Sequence, residues 1–199
     1  EKPTIMSSTD WKIDTSSPVL VTGATGYIAG VLIKQLLDAG VTVHGTVRDP
    51  SNTERLQYLV DVADKSPGTL KLFRGDLLED GSFEESMKEC SIVFHTASPF
   101  VLKVKNPQKE LVDPAVNGTK NVLNTATKTP SVRRVVLTSS VASIFADAAD
   151  TYNAPNNTLT EDVDNITASL DYQSYHFSKA QAEMVAWRLL GCQNQWTMA

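Results

Sequence analysis

Val19-Leu20-Val21-Thr22-Gly23-Ala24-Thr25-Gly26-Tyr27-Ile28-Ala29-Gly30, followed by Val31-Leu32-Ile33-Lys34-Gln35-Leu36-Leu37, is the stretch on which the reading of this chain turns. A short apolar run meets a glycine turn, and an apolar stripe of helical period follows it. Ile28, Leu32 and Leu36 recur every four residues, with Ile33 and Leu37 beside them, which predicts a helix from Gly26 to Ala39. Gly40 is placed to end it. A strand, a glycine turn and a helix in that order form the phosphate-binding element that opens a dinucleotide-binding βαβ unit. Gly23 allows the sharp turn. Gly26, without a Cβ, lets a pyrophosphate approach the backbone, and the N–H groups of the first helical turn face the anion. The bare alternative is an ordinary tight turn between strand and helix.

The rest of the chain alternates strand and helix patterns. Strands are expected at Val19–Thr22, Val41–Val47, Leu70–Phe73, Ile92–His95 and Arg134–Thr138, with a sixth opening at Gln195–Ala199. Helices are expected from about Thr53, from Ser82 with a capping box to Glu85, over Gln108–Thr127 with Pro114 marking a kink or a late start, and over Ala168–Leu190. Asp147–Ala168 is polar, carries Pro155 and several asparagines, and reads as a long active-site loop. Residues 1–17 read as a loose lead-in and 18–199 as one domain. Such alternation predicts an α/β fold, a doubly wound parallel sheet with helices on both faces, in strand order 3-2-1-4-5-(6).

Bulk properties narrow the partners. The chain has 199 residues and a formal net charge of −5, which argues against a nucleic-acid partner held by phosphate contacts. No apolar run reaches bilayer length, and no charged-then-apolar leader opens the chain, so no membrane association is expected. Cys90 and Cys192 are isolated, without zinc spacing, which predicts reduced thiols and a cytoplasmic setting.

Tyr175 and Lys179 stand four apart in a predicted helix and so share a face. An ammonium beside a phenol stabilises the phenolate, making a plausible proton donor for a carbonyl oxygen that receives hydride at its carbon. Ser139-Ser140 lies at the carboxyl end of a strand, where open parallel sheets bind ligands. One hydroxyl of the pair could orient a substrate oxygen; one could simply cap the next helix. Arg48 occupies the end of strand two, where an acid binding ribose hydroxyls would sit in an NAD site, and Arg55 follows in the next helix. Arginines there suit a 2′-phosphate; the alternative is two solvated surface charges. Asp49 counts against the first reading unless, before Pro50, it only shapes the turn. His44 and His95 read as satisfied core or sheet-edge histidines, His176 as pointing off the Tyr/Lys face, and Met184 and Trp187 as core.

Several stretches together resemble the extended short-chain dehydrogenase/reductases. The likeness is to the branch holding dihydroflavonol reductases, cinnamoyl-CoA reductases and fungal ketone/aldehyde reductases. They are Val21–Ile28, Gly45–Pro50, Gly75–Leu77, His95–Pro99, Val112–Thr119, Leu137–Ser140 and Tyr175–Lys179, in family order. The resemblance implies a Rossmann-type domain and an NADPH-dependent carbonyl reductase acting on a small-molecule ketone or aldehyde. It assigns Tyr175 as proton donor, and Lys179 as its partner and a ligand of the nicotinamide ribose. On the same resemblance Ser140 would be the catalytic serine, with Ser139 as second choice. Gly23, Thr25, Gly26, Tyr27 and Ile28 would hold the pyrophosphate. Asp76 and Leu77 would border the adenine, Arg48 and Arg55 would meet the 2′-phosphate, and Ala97, Ser98, Pro99 and Thr138 would line the way to the nicotinamide. Two other functions stay open: a catalytically idle NADP-binding protein, and an NAD-dependent nucleotide-sugar epimerase or dehydratase. Members of the branch continue through strand six into a C-terminal substrate domain. That domain is expected to be missing here, with the chain truncated in its sixth strand and self-association possible through the incomplete sheet edge.

Overall fold

A computed structural model describes residues 14–98 and 104–199. Six parallel strands form one sheet in the order β3-β2-β1-β4-β5-β6. In chain order the elements are β1 (Val19–Val21), α1 (Tyr27–Asp38), β2 (Thr42–Val47), α2 (Thr53–Ala63), β3 (Thr69–Arg74) and α3 (Glu84–Met87). β4 (Ile92–His95), α4 (Asp113–Lys128), β5 (Arg134–Leu137), α5 (Ser174–Leu190) and β6 (Thr197–Met198) complete it. This is the doubly wound architecture expected from the alternation of strand and helix patterns.

The period-two geometry of β1 divides the molecule. Val19 and Val21 face one side, where they join Ile33, Leu37, Val43, Leu56 and Leu59 beneath α1 and α2. Leu20 faces the other, with Phe83, Met87, Val93, Val122, Leu123, Val135, Ala186 and Trp196. Both faces of a parallel sheet are thus covered, as apolar strands without polar alternation require. Fully burying one such Leu or Val side chain stabilises the fold by about 1.5–3 kcal/mol.

Several local expectations are corrected. In α1 the buried stripe is Ala29, Ile33, Leu36 and Leu37; Ile28, read as part of the stripe, is 58% exposed. Gly40, at φ +81°, does follow the end of that helix. Ser82 does not cap a helix: α3 begins at Glu84 behind Phe83, with no side-chain cap. The Ser82 hydroxyl instead donates to the Asp76 carbonyl at 2.7 Å and accepts the Asp76 amide at 3.0 Å. The helix expected from Gln108 opens as a π-helical turn, Gln108–Val112, and becomes α-helical at Asp113. Pro114 therefore sits at the junction where the π-helical turn gives way to α4, as the second residue of α4. β5 stops at Leu137, one residue short of the expectation. The last helix starts at Ser174, not Ala168, behind Gln173 in the left-handed region at φ +55°. Within Asp147–Ala168 lie two short 3-10 turns, Ala148–Asn153 and Pro155–Asn157. Met184 and Trp187, read as core, are 40% and 51% exposed. Among the described residues no helix is long and apolar enough to cross a membrane.

Candidate active site

A cleft of about 550 Å³ opens at the carboxyl ends of β1, β2, β3 and β4. Its floor is the glycine turn. Gly23 has φ +69°, and a Cβ there would lie 3.0 Å from the Ala97 Cβ, so both conformation and close approach to the end of β4 demand glycine. Thr46 of β2 fixes the turn from the other side, its hydroxyl accepting the Gly23 amide at 3.3 Å and its carbonyl the Ala24 amide at 2.9 Å. Gly26 is the N-cap of α1, which has no side-chain cap and no acidic residue in its first turn. Tyr27 and Ile28 begin that turn with exposed side chains. A positive helix end without a carboxylate or a capping oxygen is suited to an anion.

The sequence-predicted residues Gly23, Thr25, Gly26, Arg48, Arg55, Asp76, Leu77, Ala97 and Ser98 all line this one cleft. Arg48 and Arg55 also line an adjoining hollow of about 320 Å³ together with Thr25, Asp49 and Asn52. Asp49 does shape its turn: its carboxylate accepts the Ser51 amide at 2.9 Å and the Ser51 hydroxyl at 2.6 Å. Those hydrogen bonds hold the Asp49 carboxyl below its usual range. Asn52 caps α2 by accepting the Arg55 amide at 3.1 Å. Pro99 lies outside the described residues. Thr138 does not line the cleft; its amide donates to the His95 carbonyl at 3.0 Å.

Thr22, which sequence reasoning left without a role, ties the β4 end of the cleft to β1. Its hydroxyl oxygen accepts the amides of Thr96 at 3.1 Å and Ala97 at 3.0 Å. With both lone pairs engaged, its proton goes to His95 Nδ1, 2.9 Å away. His95 is therefore the neutral Nε2–H tautomer. Burial, with the Lys179 ammonium nearby, pushes its pKa down to about 4. His95 and His44 are thus satisfied core histidines, as expected: the His44 Nδ1–H donates to the Ser86 carbonyl at 2.8 Å.

α5 brings its Tyr/Lys face to the same end of the sheet. Lys179 is buried, and its Nζ donates to Ser98 Oγ at 2.7 Å across 81 residues of chain. The same Nζ lies 5.8 Å from the centroid of the Tyr175 ring. Burial pulls the Lys179 pKa below its ordinary value. His176 is half-buried, its ring set edge-on to Phe145 with centroids 6.3 Å apart.

The two serines divide. Ser140 caps a 3-10 turn, Val141–Ser143, by accepting the Ala142 amide at 3.2 Å. Ser139 turns to α5 and donates to the Glu183 carboxylate. Glu183 also accepts the Trp187 indole N–H at 3.2 Å. Burial raises the Glu183 carboxyl, but hydrogen bonds from Ser139, Ser143 and Trp187 outweigh it and leave the group below its usual range. Glu183 went unnoticed in the sequence, although it stands four residues after Lys179, as Lys179 stands four after Tyr175.

Comparison with known proteins identifies the family and the fold. A family model of NAD-binding domains, described as male sterility protein, matches residues 21–193. The chain is 44% identical to cinnamoyl-CoA reductase CAD2 of Medicago truncatula over 178 residues, 86% of this chain and 52% of that protein. It is 41% identical to tetraketide alpha-pyrone reductase 1 of Arabidopsis thaliana, over 85% of this chain and 52% of that one. Among solved structures, Candida albicans Gre2 in complex with NADPH superposes with a TM-score of 0.76 at 32% identity, covering 92% of this chain and 56% of that one. The chain thus spans about half the length of the relatives it matches. On the matched family model and on the fold shared with these reductases, the chain belongs to the male-sterility-type NAD-binding family, within the extended short-chain dehydrogenase/reductases.

Proposed function

We propose that residues 18–199 form the cofactor-binding part of an NADPH-dependent carbonyl reductase that acts on a small-molecule ketone or aldehyde. The observation that carries this reading is the Lys179–Ser98 hydrogen bond. It holds the helix bearing Tyr175 against the wall of the cleft that also contains the glycine turn and the two arginines. The fit to a dinucleotide rests on the uncapped, acid-free start of α1, which suits a pyrophosphate. Arg48 and Arg55 beside one hollow suit a 2′-phosphate, and Asp49 is engaged with Ser51. The relatives named above are reductases, and Gre2 is seen with NADPH.

Bound NADPH would supply a hydride to the carbonyl carbon. Tyr175 gives its phenolic proton to the carbonyl oxygen, and the product is the alcohol. Lys179, one turn along α5, offsets the resulting phenolate and reaches toward the ribose from its place at Ser98. Ser140 orients the substrate oxygen: accepting the Ala142 amide leaves its hydroxyl hydrogen as a donor. Gly23, Thr25, Gly26, Tyr27 and Ile28 hold the pyrophosphate, chiefly through backbone. Asp76 and Leu77 border the adenine; Ala97 and Ser98, which line the cleft, flank the path to the nicotinamide.

Two free cysteines, one buried and one exposed, fit a reducing compartment, and we place the protein in the cytoplasm. The two-residue β6 forms an outer edge of the sheet, and we extend the proposal to self-association through that edge. Consumption of NADPH in the presence of a panel of aldehydes and ketones tests the activity. Replacing Tyr175 by Phe should lower turnover by about a hundredfold or more while leaving the Kd for NADPH within about twofold. Equal turnover in that variant would remove Tyr175 from the reaction.

A further inference from the structure

Asp76 and Leu77, at the adenine end of the cleft, belong to the loop between β3 and α3. Ser82 braces Asp76 within the loop, and one side chain of α4 ties the loop to the helix beneath it. Asn121 is 5% exposed. Its amide nitrogen donates to the Glu79 carbonyl at 2.7 Å and lies 3.4 Å from the carbonyls of Asp76 and Leu77. Its Oδ1 accepts the Gly81 amide at 3.2 Å. Only a side chain that is donor and acceptor at once satisfies both sides of this turn. One turn earlier in α4, a Cβ on Gly118 would lie 2.9 Å from the Leu77 Cβ, so Leu77 rests directly on the helix backbone.

We propose that Asn121 is a positioning residue for the adenosine half of the cofactor. It fixes where Asp76 and Leu77 stand and so sets affinity at that end, although it does not itself line the cofactor cleft. The nicotinamide end, organised by Lys179, Ser98 and Thr22, is built from different elements and does not depend on it. The inference rests on the NADPH reading of the cleft.

The test is calorimetric binding of NADPH and of 2′,5′-ADP, which carries only the adenosine half, to four proteins. They are wild type, Asn121→Ala, Asn121→Asp and Val122→Ala. Asn121→Asp keeps the acceptor for Gly81 but sets a carboxylate against three carbonyls. Val122 is the next residue of α4, fully buried in the core, and its truncation controls for general loss of stability. Both Asn121 variants should bind NADPH and 2′,5′-ADP about tenfold more weakly, in parallel, as expected when a wall that makes one or two cofactor contacts is released. Val122→Ala should stay within about twofold of wild type. Should one Asn121 variant fail to fold, the other carries the comparison. Unchanged affinity in the folded Asn121 variant, or an equal loss in Val122→Ala, overturns the positioning role while leaving the cofactor reading intact. A folded wild-type protein that binds neither ligand overturns the cofactor reading and this inference with it.

Discussion

At Gly23 two independent demands meet. The backbone stands at φ +69°, and the space a side chain would take is held by Ala97. Gly23→Ala should cost about 1–3 kcal/mol of stability from the conformation alone. It should also push the end of β4 away from the turn and weaken NADPH binding; chemical denaturation and calorimetry on the same variant check both. Retained stability would mean that the turn relaxes freely. His95 gives a second test. An imidazole in the unfolded chain takes up its proton near 6.5, but in the fold only near 4. The stabilisation is complete above pH 6.5 and is lost as pH falls toward and through 4, because the unfolded state binds the proton first. That difference corresponds to about 3 kcal/mol. His95→Asn should therefore lose less stability than wild type between pH 7 and pH 4. Parallel pH curves for the two would contradict the buried neutral histidine. The positions of Arg48, Asp49 and Gly23 were legible because each is fixed by distance along the chain from a strand end. Thr22 was not, since its partners Thr96 and Ala97 lie more than seventy residues away.

Among the elements, legibility followed the strength of the local pattern. β1 read cleanly because a parallel strand buried on both faces is a continuous apolar run. The start of α3 was misread because Ser82 and Glu85 carry the letters of a capping box, while the Ser82 hydroxyl is engaged by Asp76. The last helix was drawn too long for a related reason. Nothing between Ala168 and Gln173 breaks a helical pattern by composition, yet the Ser169 amide donates to the Tyr172 carbonyl at 2.8 Å and Gln173 turns left-handed. Those backbone groups form a turn that only the folded neighbourhood reveals. The role of α5 in joining distant segments was legible only in part. Its Tyr175 and Lys179 face showed in the spacing, but the engagement of Lys179 with Ser98 and of Glu183 with Ser139 did not. Cysteine chemistry tests element packing directly. Cys90, buried behind α3, has its thiol pushed up to about 12 by burial and by the neighbouring Glu89 carboxylate. Cys192, beyond α5, is exposed. An aromatic disulfide reagent at pH 8 should therefore titrate one thiol rapidly in the native protein and a second only after denaturation. Two fast thiols would mean that the packing around Cys90 opens readily.

For the whole molecule, the doubly wound topology gathers the chemistry at one end of the sheet. The glycine turn after β1, Arg48 after β2, Asp76 after β3, Ser98 after β4 and Ser140 after β5 all follow carboxyl ends of strands. This follows from parallel strands with right-handed crossovers, and it is why strand alternation in the sequence already pointed to this end of the sheet. The central claim is that this end of the sheet holds NADPH, with the arginines selecting it over NADH. Thermal unfolding measured alone, with NADPH and with NADH tests that claim most directly, because a ligand bound only to the folded state raises the midpoint by mass action. The account predicts one cooperative transition, raised by NADPH by several degrees at about a hundred times its Kd and raised much less by NADH at the same concentration. Replacing both Arg48 and Arg55 by Ala should abolish the difference between the two cofactors. A midpoint that NADPH leaves unmoved, or that NADH raises equally in the wild-type protein, would contradict it.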